Sequence, residues 1–193
     1  MRLRAGAEVT VAASPHLLGG LDLMPWEVTF DGGARAIRGR RVAGAGALLW
    51  GPPDASGRRV IRARATAALP AEEHAQVAEA WGLRLGLLLL RRLRPEDRRA
   101  RIVGDNLAVI RHGASMGRLR RANMHSLIGP VLTAVHSQGW ALDWCAVRRR
   151  LNAAADHVAT DAVFQAARRA EQGFMRPHVT VEDFAPQADS IHG

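Results

Sequence analysis

The sequence predicts an α/β fold, a five-stranded mixed sheet flanked by helices. Three observations predict it. Segments of period-two alternation and segments of helical period follow one another in the order strand, strand, strand, helix, strand, helices, strand, helix. The chain has 193 residues, 48% of them hydrophobic and 23% charged, which suits one domain with a substantial core. It has a single cysteine, Cys145, so no internal disulfide substitutes for that core.

Residues 1–25 show no sustained period and contain Pro15, Gly19 and Gly20; they read as an N-terminal arm. From Trp26 the pattern sharpens. Glu27-Val28-Thr29-Phe30 alternates and meets Asp31-Gly32-Gly33, which reads as a strand ending in a turn. Val42–Trp50 reads as a second strand and Arg59–Thr66 as a third, joined by a hairpin loop from Gly51 to Gly57. A helix is expected over about Pro70–Leu93. Pro70 suits its first turn, and Glu72 and Glu73 suit its positive end. Arg101–Val103 reads as a short strand ending at Gly104-Asp105, followed by a short helix to about His112. A helix over about Asn123–Gln138, bent at Gly129-Pro130, ends at Gly139. Trp140–Ala146 alternates as the fifth strand. Asn152 is a good N-cap for a last helix, about Ala153–Ala170, whose stripe of Ala155, Ala159, Ala162 and Ala166 permits close packing. Residues 171–193 read as a C-terminal tail, which leaves 26–170 as the domain.

There are 27 basic residues against 18 acidic ones, a net charge of +9. The basic excess lies between residues 31 and 170, and both ends are weakly acidic. A polyanionic partner fits this distribution. So does a GC-rich gene, since every basic residue is arginine. No apolar stretch approaches the roughly 18–20 residues needed to cross a membrane. The first 25 residues lack the apolar core of a signal peptide. One cysteine and histidines without ligand spacing give no structural zinc site. An intracellular setting is expected, in cytoplasm or nucleus alike.

The acids carry the most information. Asp31 and Asp105 stand at expected strand ends beside glycine, where open sheets place functional groups. Glu79 lies on the same helix face as Gly82 and Gly86. Two glycines there let a helix lie close against a sheet, which brings the carboxylate toward the strand ends. Asp156 falls near the positive end of the last helix. Taken singly, Asp31 also suits a turn, Asp105-Asn106 a helix cap and Asp156 a helix-dipole partner. Taken together, four converging carboxylates repel one another unless protons or divalent cations intervene. Hard oxygen ligands in that number suit Mg²⁺ or Mn²⁺.

At these residues the sequence resembles the ribonuclease H superfamily, in particular its reverse-transcriptase-like, retroelement-type branch. Phe30-Asp31-Gly32-Gly33 looks like that family's first-strand motif. Gln76-Val77-Ala78-Glu79 with Gly86-Leu87 looks like its N-x-A-E … G-L helix, with Gln for Asn. Ile102-Val103-Gly104-Asp105-Asn106 with Val109 looks like its GDN motif. Val147, Arg149, Asn152, Ala155, Asp156 and Ala159 match its last motif, with Arg148 where Pro is usual. The resemblance covers about residues 26–170. It implies a ribonuclease H-like fold and a metal-dependent endonuclease that hydrolyses the RNA strand of RNA–DNA hybrids with two Mg²⁺ ions, Mn²⁺ substituting. Asp31 would bridge the metals, Asp156 would complete one site, and Glu79 and Asp105 the other. Gly32, Gly33, Gln76 and Asn106 would meet RNA, and Arg149 and Asn152 of the last motif would also contact the nucleic acid. Arg118, Arg120 and Arg121 form a basic cluster suited to phosphates.

Three departures stand out. The loop before Asp156 lacks the histidine many members carry there, Leu107 replaces a common glutamine, and the 118–138 segment is too short for a basic helical handle. Arg148–Arg150 also suit phosphate contacts, whereas the arginines of 91–101 read as a solvated connection. Trp81, Trp140 and Trp144 read as core, and Cys145 as plain packing. A non-catalytic nucleic-acid-binding or assembly module of the same fold is the alternative reading, and a nuclease of another specificity a third.

Overall fold

A computed structural model describes residues 9–12, 26–72, 74–93, 95–115 and 122–184, with the side chains of 9–12, 122 and 123 left aside. Seven strands form one sheet: β1 (Val9–Ala12), β2 (Trp26–Ile37), β3 (Arg40–Trp50), β4 (Ile61–Leu69), β5 (Arg99–Gly104), β6 (Ala141–Val147) and β7 (His178–Asp183). Four helices accompany them: α1 (Ala75–Arg92), α2 (Leu107–Ala114), α3 (Ala122–Ser137) and α4 (Ala153–Glu171). The strand order is β1-β6-β5-β2-β3-β4-β7. β2, β5, β6 and β1 run parallel, while β3, β4 and β7 are added antiparallel.

The five expected strands form the middle of this sheet, and the two extra ones come from outside residues 26–170. β1 lies in the segment read as an arm and pairs with β6. β7 lies in the segment read as a tail and pairs with β4 over Ala63–Ala68. The acids of this tail meet arginines of the body: Arg64 with Glu182 at 2.9 Å, Arg92 with Asp183 at 2.7 Å and Arg38 with Glu171 at 2.7 Å. These pairs are exposed and add little stability each; the β7–β4 ladder holds the strand.

Side-chain alternation assigns the helices to faces. Val28, Phe30 and Gly32 of β2 point to one face, Thr29 and Asp31 to the other. A Cβ on Gly32 would lie 2.1 Å from the Ala78 carbonyl carbon, so α1 packs on the first face. Gly46 pairs with Asp31, and a Cβ there would lie 2.7 Å from the Ala159 amide, so α4 packs on the second. Trp144, in register with Ile102 and Val28, meets α2 at Gly113 on the α1 face. The alanine stripe of α4 is buried as expected, as are Trp140, Trp144 and Cys145. Trp81 is half-buried against the core, beneath the Arg84 guanidinium.

Four local expectations are corrected. β2 does not end at Asp31 but runs on to Ile37, and the chain reverses at Arg38-Gly39, both at positive φ. Gly32 and Gly33 are strand residues, and the glycine at 32 answers the approach of α1 rather than a turn. Helix α1 begins at Ala75, later than expected, with no acid in its first turn. Glu72 instead accepts the His74 backbone amide just ahead of it, at 2.8 Å; Glu73 lies outside the described residues. Asn152 flanks α4 without capping it by its side chain. Arg101 is not part of a solvated run: it is buried and donates to Asp143 at 3.0 Å.

Candidate active site

The parallel pairing of β2 with β5 stops at Thr29–Val103. Beyond that register the strands part, and β5 ends at Gly104. Asp31 projects into this notch from mid-strand and Asp105 follows the end of β5. Gly104 keeps the notch narrow: a Cβ there would lie 2.6 Å from the Phe30 ring. Helix α1 delivers Glu79 from the other face. Gly82 permits it, since a Cβ at 82 would lie 2.5 Å from the Asp31 carbonyl oxygen. Carboxylate oxygens of Asp31, Glu79 and Asp105 consequently lie within 4.8 Å of one another. Asp156, in the first turn of α4, stands close enough for its charge to act on Asp31.

Burial and mutual repulsion govern the electrostatics. Desolvation, then the Asp105 and Asp156 charges, push the Asp31 carboxyl up to about 7 against the pull of the Gly32 amide. Desolvation and the charges of Asp31 and Asp105 push Glu79 up to about 9, opposed by the Asn106 side chain and Arg149. Glu79 Oε2 and Asp105 Oδ1 are buried without a hydrogen-bond partner. Such oxygens are expensive to leave unmatched. A hard divalent cation matches them: it accepts several carboxylate oxygens at once and removes the repulsion. The donor set thus fits a hard divalent cation such as Mg²⁺ or Mn²⁺, which Asp31, Glu79 and Asp105 would hold.

The other expected site residues are placed unequally. Gln76 is exposed at the start of α1, and Gly33 is half-buried with open space where a Cβ would stand. Asn106 serves twice: its Oδ1 accepts the Ala108 and Val109 amides to cap α2, and its side chain favours the ionised form of Glu79. Asn152 is 1% exposed, and its amide donates to the Phe30 carbonyl at 2.8 Å, which ties the loop before α4 to β2. It is an anchor of the site and not a surface for nucleic acid. Arg149 lies at the rim, its guanidinium donating to Asp156 Oδ1. Nothing in the sequence marks this contact beyond the spacing of seven residues across one short turn. Arg118, Arg120 and Arg121 lie outside the described residues.

The raised carboxyl groups set a pH dependence. Asp31 and Glu79 bind protons more tightly in the folded chain than in the unfolded one. The stability this gives is present below pH 4 and is lost as pH rises through about 7 and about 9. A divalent cation competes with those protons. Saturating Mg²⁺ is therefore expected to raise the melting temperature by about 4 °C or more at pH 8 and by much less at pH 5. Thermal melts with and without Mg²⁺ at both pH values check this; an equal response at both would separate the cation from these carboxylates.

The architecture has solved counterparts. The N-terminal RNase H domain of a Mycobacterium tuberculosis protein, solved as a fusion with maltose-binding protein, matches with a TM-score of 0.62 and 26% identity, over 76% of this chain and 99% of that one. LC11-RNase H1, isolated from compost and solved in complex with an RNA/DNA hybrid, matches with a TM-score of 0.58 and 20% identity, over 73% and 98%. RNase H1 from the halophilic archaeon Halobacterium salinarum matches with a TM-score of 0.52 and 17% identity, over 72% and 98%. No protein-family model and no curated protein matches the chain. The chain is an α/β protein of ribonuclease H-like fold. Among the described residues no helix is long and apolar enough to cross a membrane.

Proposed function

We propose that this chain is a divalent-metal-dependent endonuclease that hydrolyses the RNA strand of RNA–DNA hybrids. The observation that carries the reading is the cluster of Asp31, Glu79 and Asp105, with ligand oxygens within 4.8 Å and Asp156 alongside. The hybrid-bound LC11-RNase H1 among the structural matches supports the substrate class. The four motifs that carry these acids support a place in the reverse-transcriptase-like branch.

In this reading Asp31, Glu79, Asp105 and Asp156 would hold two divalent cations. The ions would activate water and neutralise charge growing on the phosphate. The protein's part is to preorganise the ligands. The β2 ladder, the glycine-lined seat of α1 and the Asn152–Phe30 bond hold four carboxylates at one notch before any substrate arrives. The exposed Arg148 and Arg150 flank the notch and suit phosphate contacts, which would make binding salt-sensitive. The exposed Gln76 amide and the Gly33 backbone would be the groups that read a 2′-hydroxyl.

The test is a labelled RNA–DNA hybrid incubated with the full chain in Mg²⁺, beside Asp105→Asn. Cleavage of the RNA strand alone is expected, with loss of at least about a hundredfold in the variant. A wild-type chain that binds the hybrid but leaves it intact in both Mg²⁺ and Mn²⁺ would replace the enzyme with a binding module of the same fold.

A further inference from the structure

We propose that Arg149 is a tethered counter-cation of the carboxylate cluster, seated on Asp156 until a divalent metal displaces it. The inference rests on reading the cluster as a metal site. Its guanidinium Nη2 donates to Asp156 Oδ1, and its charge is felt at Glu79, Asp31 and Asp105 as well. It thus supplies, from within the chain, part of the positive charge that the cluster needs.

Geometry makes this cation removable. The Arg149 side chain is 71% exposed and that of Asp156 is 32% exposed. The guanidinium lies over the rim of the notch and can leave to solvent without opening a cavity. Its backbone stays in place. Leu151 donates to the Arg148 carbonyl at 2.8 Å and Asn152 to that of Arg149 at 2.9 Å, closing a 3₁₀ turn. The buried Asn152 amide then fastens this turn to β2 through Phe30. A fixed base with a free arm is the arrangement of a tethered competitor: its effective concentration at Asp156 is high, but its affinity is that of a rim ion pair.

A guanidinium and a divalent ion cannot share one carboxylate closely without repelling each other. Metal loading beside Asp156 therefore requires Arg149 to swing out. The released side chain joins the exposed Arg148 and Arg150, in position for a phosphate. Occupation of the metal site and exposure of a phosphate-binding arginine become one event.

Mn²⁺ titration of the full chain without nucleic acid tests this, read by calorimetry and by the loss of the free-ion spin-resonance signal. Arg149→Gln is expected to tighten the weaker Mn²⁺ site by about two- to fivefold. Arg149→Lys, which keeps the charge, is expected to return the affinity toward wild type, and Arg148→Gln to leave it unchanged. Circular dichroism confirms that each variant is folded. If wild type binds Mn²⁺ and folded Arg149→Gln binds it no more tightly, the counter-cation role is wrong and the metal site stands. If wild type binds no Mn²⁺, the metal reading falls and this inference with it.

Discussion

Replacing Asp31 with asparagine is expected to abolish cleavage of an RNA–DNA hybrid, by about a thousandfold or more, while raising the melting temperature of the metal-free protein at pH 8. The two effects share one cause. Asp31 is 4% exposed, faces Asp105, Asp156 and Glu79, and has a carboxyl pushed up to about 7. At pH 8 and without metal it is a buried anion crowded by other carboxyl groups, which opposes folding. Asparagine has the same shape and no charge, so it relieves that repulsion by a few degrees of melting temperature. It also removes the oxygen charge that two cations would share, so the response of the melting temperature to Mg²⁺ should disappear. A purely structural aspartate behaves in the opposite way: its loss lowers the melting temperature and leaves chemistry intact. Melts at pH 8 with and without Mg²⁺, next to the cleavage assay, separate the cases. A variant that cleaves within tenfold of wild type, or melts earlier without metal, would remove Asp31 from the site.

The convergence of these acids was legible from the chain because each lies on a regular element or directly at the end of one. Gly82 and Gly86 stand three and seven positions after Glu79, and helical spacing alone puts them on one face. That face proves to be the one seated on β2. Other features depend on contacts that no local pattern contains. Asp31-Gly32-Gly33 has the composition of a turn, yet the strand continues, because the missing Cβ at 32 serves a helix 46 residues further along the chain. The β7 segment alternates over only six residues, and its partner, β4, lies more than a hundred residues back. Arg101 sits in a run of arginines that reads as solvated, and its burial depends on Asp143 on a neighbouring strand. Asn152 has the composition of a cap, but its side chain turns to β2, where its amide donates to the Phe30 carbonyl. Arg149 was read as a contact for nucleic acid, and the nearest anion in the free protein is one of its own acids. Local periodicity thus located the carboxylates, and tertiary packing decided what each neighbour does for them.

That seat predicts the largest effect on stability. Gly32→Ala is expected to destabilise the fold by about 3 kcal/mol or more, and to weaken metal binding even in the fraction that folds. The new Cβ would lie 2.1 Å from the Ala78 carbonyl carbon and 2.3 Å from the Glu79 amide nitrogen. Both are backbone atoms of α1, so no side-chain rotation relieves the clash. The helix must retreat by roughly 1 Å or more, and it does so at the residue that carries the third carboxylate. Retreat there opens the packing of α1 over Val28 and Phe30 and draws Glu79 away from Asp31 and Asp105. Gly33→Ala is the matched control: its Cβ would meet no atom within 4 Å, and its φ is not in the left-handed region. Its unfolding free energy should stay within about 0.5 kcal/mol of wild type. Urea unfolding of both variants, with Mn²⁺ titration of each under native conditions, gives the comparison. Equal midpoints for the two would mean that α1 does not rest on Gly32, and the account of how Glu79 reaches the notch would fall with it.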